Sequence, residues 1–195
     1  MLVVFKGNTH EHILAFDAEY NEGQLIQFSG ILFKRIEKDV YQICKSLNRY
    51  VKLRSGHINR FIREFTGITD EYLLREGITL DVAREQIYEL VDVHDLLVVS
   101  HGLYNDRQTM LGNEINMYTN VEEEEVCGSC TYQAAKRLLD RDKKLTLADV
   151  AEDAGVFLSN QHNAFDDAWA TIAVYSLLSK LEEERKIEKT NKKLF

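Results

Sequence analysis

Three β-rich segments that follow one another with almost no chain between them constrain the fold most strongly. The segments HILAFDAEYN, QLIQFSGILFKRI and VYQICKSLNRYVKL occupy residues 12–21, 24–36 and 40–53. β-Branched and aromatic residues recur along them, and Asn21-Glu22-Gly23 is a turn signal between the first two. Because a parallel connection needs a dozen or more residues, the three segments are expected to pair as an antiparallel meander.

The pattern changes downstream of this meander. Apolar residues at helical spacing, with threonine caps at Thr69 and Thr79, predict helices over INRFIREF, TGITDEYLL and TLDVAREQIYELV. The apolar run LLVVS at 96–100 is typical of a strand buried on both faces. Four more helices are predicted over NDRQTMLGNEI (with Asn105 as a candidate cap), CTYQAAKRLLD, TLADVAEDAGV and AFDDAWATIAVYSLLSKLEEERKIEK. We therefore predict an α/β fold with a central mixed five-stranded sheet, the antiparallel meander plus parallel strands, flanked by helices on both faces.

Length and composition indicate the organisation of the chain. At 195 residues it is expected to form a single domain over 1–195, with a core at about 12–180 and a charged helix end and tail at 181–195. No apolar run approaches the roughly 20 residues of a membrane span, and the first residues lack the features of a secretion signal. Three cysteines are a small and odd number, which favours a reducing, cytoplasmic location. The net charge of −8 argues against tight nonspecific binding to duplexes, although bound cations would not appear in that count.

Two of the cysteines form a C-x-x-C pair, Cys127 and Cys130. A zinc site would need two further ligands at similar spacing, and none is found in the sequence. A redox pair would need a strand-to-helix context, which the sequence leaves open. Packing of both thiols in the interior is the favoured interpretation.

Acidic residues recur where buried elements end or begin. Asp17 and Glu19 lie on one face of the first predicted strand, and Asp106 follows the buried run LLVVS. Asp166 and Asp167 lie in the first turns of the long last helix. In α/β sheets such ends are where sites are built. Oxygen-rich carboxylate clusters suit Mg²⁺ or Mn²⁺, and two such ions can clamp the attacking and leaving oxygens of a displacement at phosphorus. His162 lies five residues before Asp167, and the unperturbed pKa of a histidine suits a general base at neutral pH.

These motifs, in this order, resemble those of the DEDDh, or DnaQ-like, 3′–5′ exonucleases, which have a ribonuclease H-like fold. The first motif, an apolar strand ending in D-x-E, is FDAEYN here; the second, VVSHGLYND, contains His101 and Asp106; the third, H-x-A-x-x-D, is HNAFDD. TGITDEYLL resembles the segment that borders the substrate cleft in that family, and the resemblance spans residues 12 to 180. Gly102 and Asn105 depart from the second motif, which usually has asparagine and an aromatic or apolar residue there.

The resemblance implies an activity and a set of site residues. The activity is metal-dependent 3′–5′ hydrolysis of single-stranded nucleic acid with a free 3′ end, RNA or DNA, releasing nucleoside 5′-monophosphates. Two divalent cations, Mg²⁺ or Mn²⁺, would be held by the four carboxylates, with His162 as the general base. The metal ligands and catalytic residues implied are Asp17, Glu19, Asp106 and Asp167, with His162 as a further catalytic residue. The residues implied to bind substrate are Ala18, Tyr20, Asn21, Ile68 and His101.

The sequence leaves several alternatives open. The aromatic Tyr20 after Glu19 is more similar to the KapD-like and RNA-trimming members of the family than to its proofreading members. A polymerase-associated proofreading subunit and a catalytically inactive ribonuclease H-like module that binds nucleic acid are the competing interpretations. A homodimer is also left open, and the sequence does not decide between RNA and DNA.

Overall fold

The computed structural model describes residues 1–117, 130–139, 145–158 and 162–192. Within these ranges the chain builds one five-stranded sheet with the order β1-β4-β3-β2-β5. Its strands are β1 (Leu2–Val4), β2 (His12–Asn21), β3 (Gln24–Glu37), β4 (Val40–Tyr50) and β5 (Leu96–Val99). The central mixed sheet of five strands is therefore confirmed.

The β2-β3-β4 meander has the antiparallel pairing that its short connections require. The turn between β2 and β3 uses Glu22 and Gly23 at positive φ, and Asp39 has φ 62° in the turn between β3 and β4. Aspartate and glycine are among the residues that tolerate the left-handed region best. The ladder between β2 and β3 shifts register between Glu19 and Tyr20, so the strand is irregular where the acidic motif ends.

β5 pairs in parallel with β2, the first strand of the meander. β5 pairs with β2 from His12↔Leu96 to Ala15↔Val99, so the carboxyl ends of both strands point to the same edge of the sheet. The remaining strand of the five is the N-terminal segment Leu2–Val4, which pairs antiparallel with β4 at the far edge. This segment is not recognisable as a strand from its sequence, because three apolar residues carry too little periodicity for that.

Seven helices occur in the described ranges: α1 (Arg60–Thr66), α2 (Asp70–Glu76), α3 (Leu80–Val91), α4 (Leu103–Gly112), α5 (Thr131–Leu138), α6 (Leu147–Asp153) and α7 (Ala164–Lys192). The threonine caps are confirmed, since Thr69 and Thr79 accept hydrogen bonds from Tyr72 N and Val82 N. The Asn105 cap is wrong: α4 begins earlier, with Gly102 as its N-cap and without a side-chain capping bond. None of these helices has the continuous apolar length that a membrane span requires.

Alternation along β2 divides the core into two layers. Leu14, Phe16 and Ala18 face the helices α3 and α4, where they pack with Ala83, Ile87 and Met110 among others. Ile13 and Ala15 face the other way and pack with Ala168 and Ile172 of α7. Helices therefore cover both faces of the sheet, as predicted. The same alternation turns the two odd-numbered residues that come next, Asp17 and Glu19, toward the face covered by α7.

Helix α1 leaves two of its apolar side chains exposed. Phe61 and Phe65 share their helical spacing with Ile58 and Ile62, and both phenylalanines are exposed, while Ile58 is buried with Ile26 and Ile68. A short helix at the edge of the sheet has too little neighbouring structure to cover every apolar residue on its surface.

Candidate active site

Asp17 and Glu19 project from β2 as charged continuations of a buried apolar row. Burial raises the pKa of Asp17 well above its usual value, and the negative charges of Asp106, Glu19 and Asp167 raise it further. Burial, followed by the charges of Asp167 and Asp106, raises the pKa of Glu19 to about 8. These interactions require the four carboxylates to lie close together, so residues that are up to 150 positions apart in sequence meet at one edge of the sheet.

Asp106 reaches this edge from the first turn of α4. Its carboxylate oxygen Oδ2 accepts a hydrogen bond of 2.6 Å from the hydroxyl of Ser100, which is fully buried at the end of β5. Burial raises the pKa of Asp106, while the bonds from Ser100 and from the backbone of Gly102 oppose that rise. The hydroxyl of Ser100 therefore fixes the orientation of this carboxylate.

Asp167 closes the cluster from the first turn of α7. Its side chain is almost fully buried, and Oδ2 accepts a hydrogen bond of 3.0 Å from the backbone N–H of His162. Burial raises its pKa to about 6. Among the described residues, its other oxygen, Oδ1, is buried without a hydrogen-bond donor. A buried carboxylate oxygen without a donor is costly unless a cation occupies the space in front of it.

His162 lies beside these carboxylates on the segment that leads into α7. Its backbone is left-handed, with φ 64°, which is uncommon for a residue with a side chain. The imidazole stacks on the ring of Phe65, with centroids 3.4 Å apart and planes inclined by 25°. Burial lowers its pKa, so the ring is neutral at pH 7 and able to accept a proton.

The donor set fits divalent cations. Ligand atoms of Glu19, His162 and Asp167 all lie within 4.8 Å of one another. Burial raises the pKa of all four carboxyl groups, and the charges of neighbouring acidic residues raise the pKa values of Asp17, Glu19 and Asp167 further. Carboxylate oxygens are the ligands that Mg²⁺ and Mn²⁺ prefer. The unpaired oxygen Asp167 Oδ1 is the direct observation that the residues fit such an ion.

The residues expected to bind substrate divide into two groups. Ala18 and Tyr20 pack against the core between β2 and helices α3 and α4, on the opposite face of the strand from Asp17 and Glu19. Asn21 and Ile68 hold the α1 region in place. Asn21 bonds the backbone of Asn59 and His57, and Ile68 packs with Ile26. Their contact with a nucleotide stays a prediction.

His101 has both ring nitrogens engaged in contacts with neighbouring elements. Nδ1 lies 3.0 Å from Thr131 Oγ1 and Nε2 lies 3.4 Å from the carbonyl oxygen of Leu145. The ring therefore ties the end of β5 to α5 and to the segment before α6. These contacts give His101 a structural role. A contact between His101 and substrate stays a prediction.

Two residues that support the site were not identified from the sequence. Ser100 binds Asp106, and Gln27, fully buried opposite Glu19 on β3, accepts a hydrogen bond of 3.4 Å from the backbone of Ala164 at the start of α7. The available signal was a polar residue within or at the end of an otherwise apolar run, as in LLVVS and QLIQF. Of the C-x-x-C pair, Cys127 lies outside the described residues, and Cys130 is a buried thiol at the start of α5.

The mixed sheet, the helices on both of its faces and the cluster of four carboxylates with a histidine define the class: a ribonuclease H-like protein with a candidate metal-dependent nuclease centre. The family model of the RNase T exonucleases matches residues 14–175, and the chain belongs to this exonuclease family. This match confirms the resemblance to the DEDDh exonucleases. A search of curated protein sequences found no significant match.

Solved structures share the fold at low sequence identity. E. coli exonuclease I in complex with a dT13 oligonucleotide is 17% identical with a TM-score of 0.69, and the alignment covers 91% of this chain and 43% of that one. Cell-death related nuclease 4 is 20% identical with a TM-score of 0.63, at 88% and 64% coverage. A 3′-exonuclease described as recognising the 3′ end of a histone mRNA stem-loop is 14% identical with a TM-score of 0.62, at 89% and 83% coverage. This chain spans less than half of the length of exonuclease I.

Proposed function

We propose that this protein is a metal-dependent 3′–5′ exonuclease that hydrolyses the terminal phosphodiester of single-stranded nucleic acid and releases nucleoside 5′-monophosphates. The observation that carries the proposal is the convergence of Asp17, Glu19, Asp106 and Asp167 beside His162. Membership of the exonuclease family supports the reaction class. The oligonucleotide bound to E. coli exonuclease I supports a single strand as the substrate.

The four carboxylates are proposed to hold two divalent cations, Mg²⁺ or Mn²⁺. Such ions would supply charge neutralisation at the scissile phosphate and at the departing 3′ oxygen. The chain contributes a fixed, partly buried set of oxygens, because Ser100 orients Asp106 and the His162 N–H orients Asp167. Fixed ligands lower the reorganisation needed when charge develops in the transition state.

His162 is proposed to be the general base. Because burial lowers its pKa, the imidazole is neutral and can take a proton from the attacking water. The backbone bond from His162 to Asp167 places the base next to a carboxylate of the cluster, so proton acceptance occurs beside the reacting phosphate. Glu19 and Asp167 have ligand atoms near the imidazole, and these two carboxylates would orient the attacking water.

The pocket for the 3′-terminal nucleotide is proposed to lie where β2 ends. Tyr20 is half-buried directly after Glu19, and Asn21 joins this strand end to the residues that lead into α1. Ile68 follows α1 and fixes its far end in the core. Ala18 and His101 would act through the positions of their backbone. A single exonuclease domain over 1–195, with the family match at 14–175, is part of the same proposal.

The test uses 5′-labelled single strands of DNA and of RNA, incubated with Mn²⁺. A ladder that shortens from the 3′ end, together with mononucleotide products, is the expected result. Asp17→Asn and His162→Ala are the inactive variants, and Glu85→Gln, at an exposed position on α3, is the matched control that should retain activity. Retarded migration of the strands without any shortening would instead identify a catalytically inactive binding module and refute the proposal.

A further inference from the structure

Phe65 differs from the other exposed apolar side chains because its ring covers the imidazole of His162. It lies in the last turn of α1, is 45% exposed, and stacks on His162 with ring centroids 3.4 Å apart. The ring of Phe65 also stacks on that of Phe61, one helical turn earlier, with ring centroids 5.4 Å apart. An exposed phenylalanine gains less hydrophobic stabilisation than a buried one, so packing in the core does not explain why position 65 is a phenylalanine.

Among the described residues, no hydrogen bond fixes the orientation of the His162 imidazole. Within the described ranges, no hydrogen bond to either ring nitrogen of His162 is present, whereas both nitrogens of His101 are engaged. The backbone N–H bond to Asp167 anchors the main chain of His162 and leaves its side-chain torsions free. A general base is ordinarily oriented by a third group that bonds its far nitrogen. Here the contact that restricts rotation of the ring is the face of Phe65.

We propose that Phe65 is the positioning residue of His162: its ring sets the plane of the imidazole and excludes water from one face. The proposal rests on the proposed function, in which His162 is the general base. A stacked contact between two aromatic rings favours one orientation of the imidazole over the others. The anchoring of α1 gives the contact its precision, since Asn59 caps the start of the helix and Asn21 bonds Asn59.

The kinetic test compares Phe65→Ala, Phe65→Leu and Phe65→Tyr with the wild type on a labelled single strand. Loss of the planar ring should lower kcat by about 10- to 100-fold with KM changed less than about threefold, because misplacement of a catalytic group affects the chemical step. Phe65→Tyr keeps the aromatic face and should restore kcat to within about threefold of the wild type. Leu74→Ala, at an exposed apolar position on neighbouring α2, is the control and should leave both constants unchanged.

A double-mutant cycle tests whether Phe65 acts through His162. The variant Phe65→Ala in a His162→Ala background should be no slower than His162→Ala alone, because the positioned group is already absent. Equal losses in both backgrounds, or a rise in KM without a fall in kcat, would mean that Phe65 contacts substrate directly and would overturn the proposal.

A spectroscopic readout requires no activity. In metal-free protein, the imidazole protons of His162 should show an upfield ring-current shift in NMR spectra, which Phe65→Ala and Phe65→Leu remove and Phe65→Tyr retains. Unshifted imidazole protons in the wild type would overturn the stack. A wild type that degrades no strand refutes the proposed function and the positioning role together. An active wild type whose Phe65→Ala variant keeps its kcat refutes the positioning role alone.

Discussion

Replacing Glu19 by glutamine should stabilise the protein when metal is absent, and the gain should grow with pH. Glu19 has a pKa of about 8 in the folded protein against 4.5 for the free side chain. Between these two values the folded state holds a proton that the unfolded state has released. The contribution of this side chain to the free energy of unfolding therefore decreases as pH rises through this window and is largest below pH 4.5. Glutamine has the same shape and carries no proton to lose.

The size of the effect follows from the same two pKa values. A pH of 7 lies about 2.5 units above the ordinary pKa of the glutamate side chain, 4.5. At about 1.4 kcal/mol per unit, the stability that Glu19 loses between these two pH values is on the order of 3 kcal/mol. Asp167 and Asp106 contribute to the raised pKa, so part of their own repulsion is relieved as well. We expect Glu19→Gln to be about 2–4 kcal/mol more stable than the wild type at pH 7 and equal to it at pH 4.5.

The assay is urea unfolding in the presence of a chelator at several pH values between 4.5 and 8. The wild type should lose stability across this range, while Glu19→Gln loses less, because only the remaining carboxylates contribute. Glu85→Gln controls for the general effect of removing a negative charge and should follow the wild type. If the curves of Glu19→Gln and the wild type run parallel, or if the variant is less stable at pH 7, the inferred crowding of carboxylates is wrong.

Three further predictions concern the same cluster. Millimolar Mn²⁺ should raise the melting temperature of the wild type by mass action on the folded state, and a chelator should reverse the increase; a melting curve that Mn²⁺ leaves unmoved would contradict the metal site. His162→Ala should lower turnover by about 10²–10⁴-fold and retain the thermal response to Mn²⁺, so a variant with undiminished activity would exclude histidine from the mechanism. Ser100→Ala removes the donor to Asp106 Oδ2 and should raise the Mn²⁺ concentration at half-effect by about 10-fold in the same melting assay, whereas an unchanged midpoint would show that Ser100 does not orient this carboxylate.

The sheet was accessible from the sequence because its determinants are local. Two-residue connections leave only antiparallel pairing for β2, β3 and β4, and the unbroken apolar run of β5 requires cover on both faces. Thr69, Thr79 and the Thr146–Asp149 capping box mark helix starts by bonds within a single turn. The edge strand Leu2–Val4 could not be found in this way, since it is defined by its partner β4 rather than by a pattern of its own.

The acidic residues of the candidate site were accessible through motif spacing, whereas the residues that support them were not. Nothing in the spacing of the chain shows that Ser100 bonds Asp106, or that Phe65 lies on His162 from a helix nearly a hundred residues earlier. Such contacts depend on how α1, α4 and α7 are placed around the end of β2.

The joining of β2 with α7 has a consequence for how the protein acquires its proposed activity. Asp17 is made early in synthesis, but its neighbour Asp167 belongs to the last of the described helices. A nascent chain that has completed the meander, β5 and α4 still lacks Asp167 and the base His162. Long-range contacts of this kind form late and close large loops. A partly synthesised chain would accordingly be unable to cut nucleic acid, and competence would arrive in one step when the final helix docks.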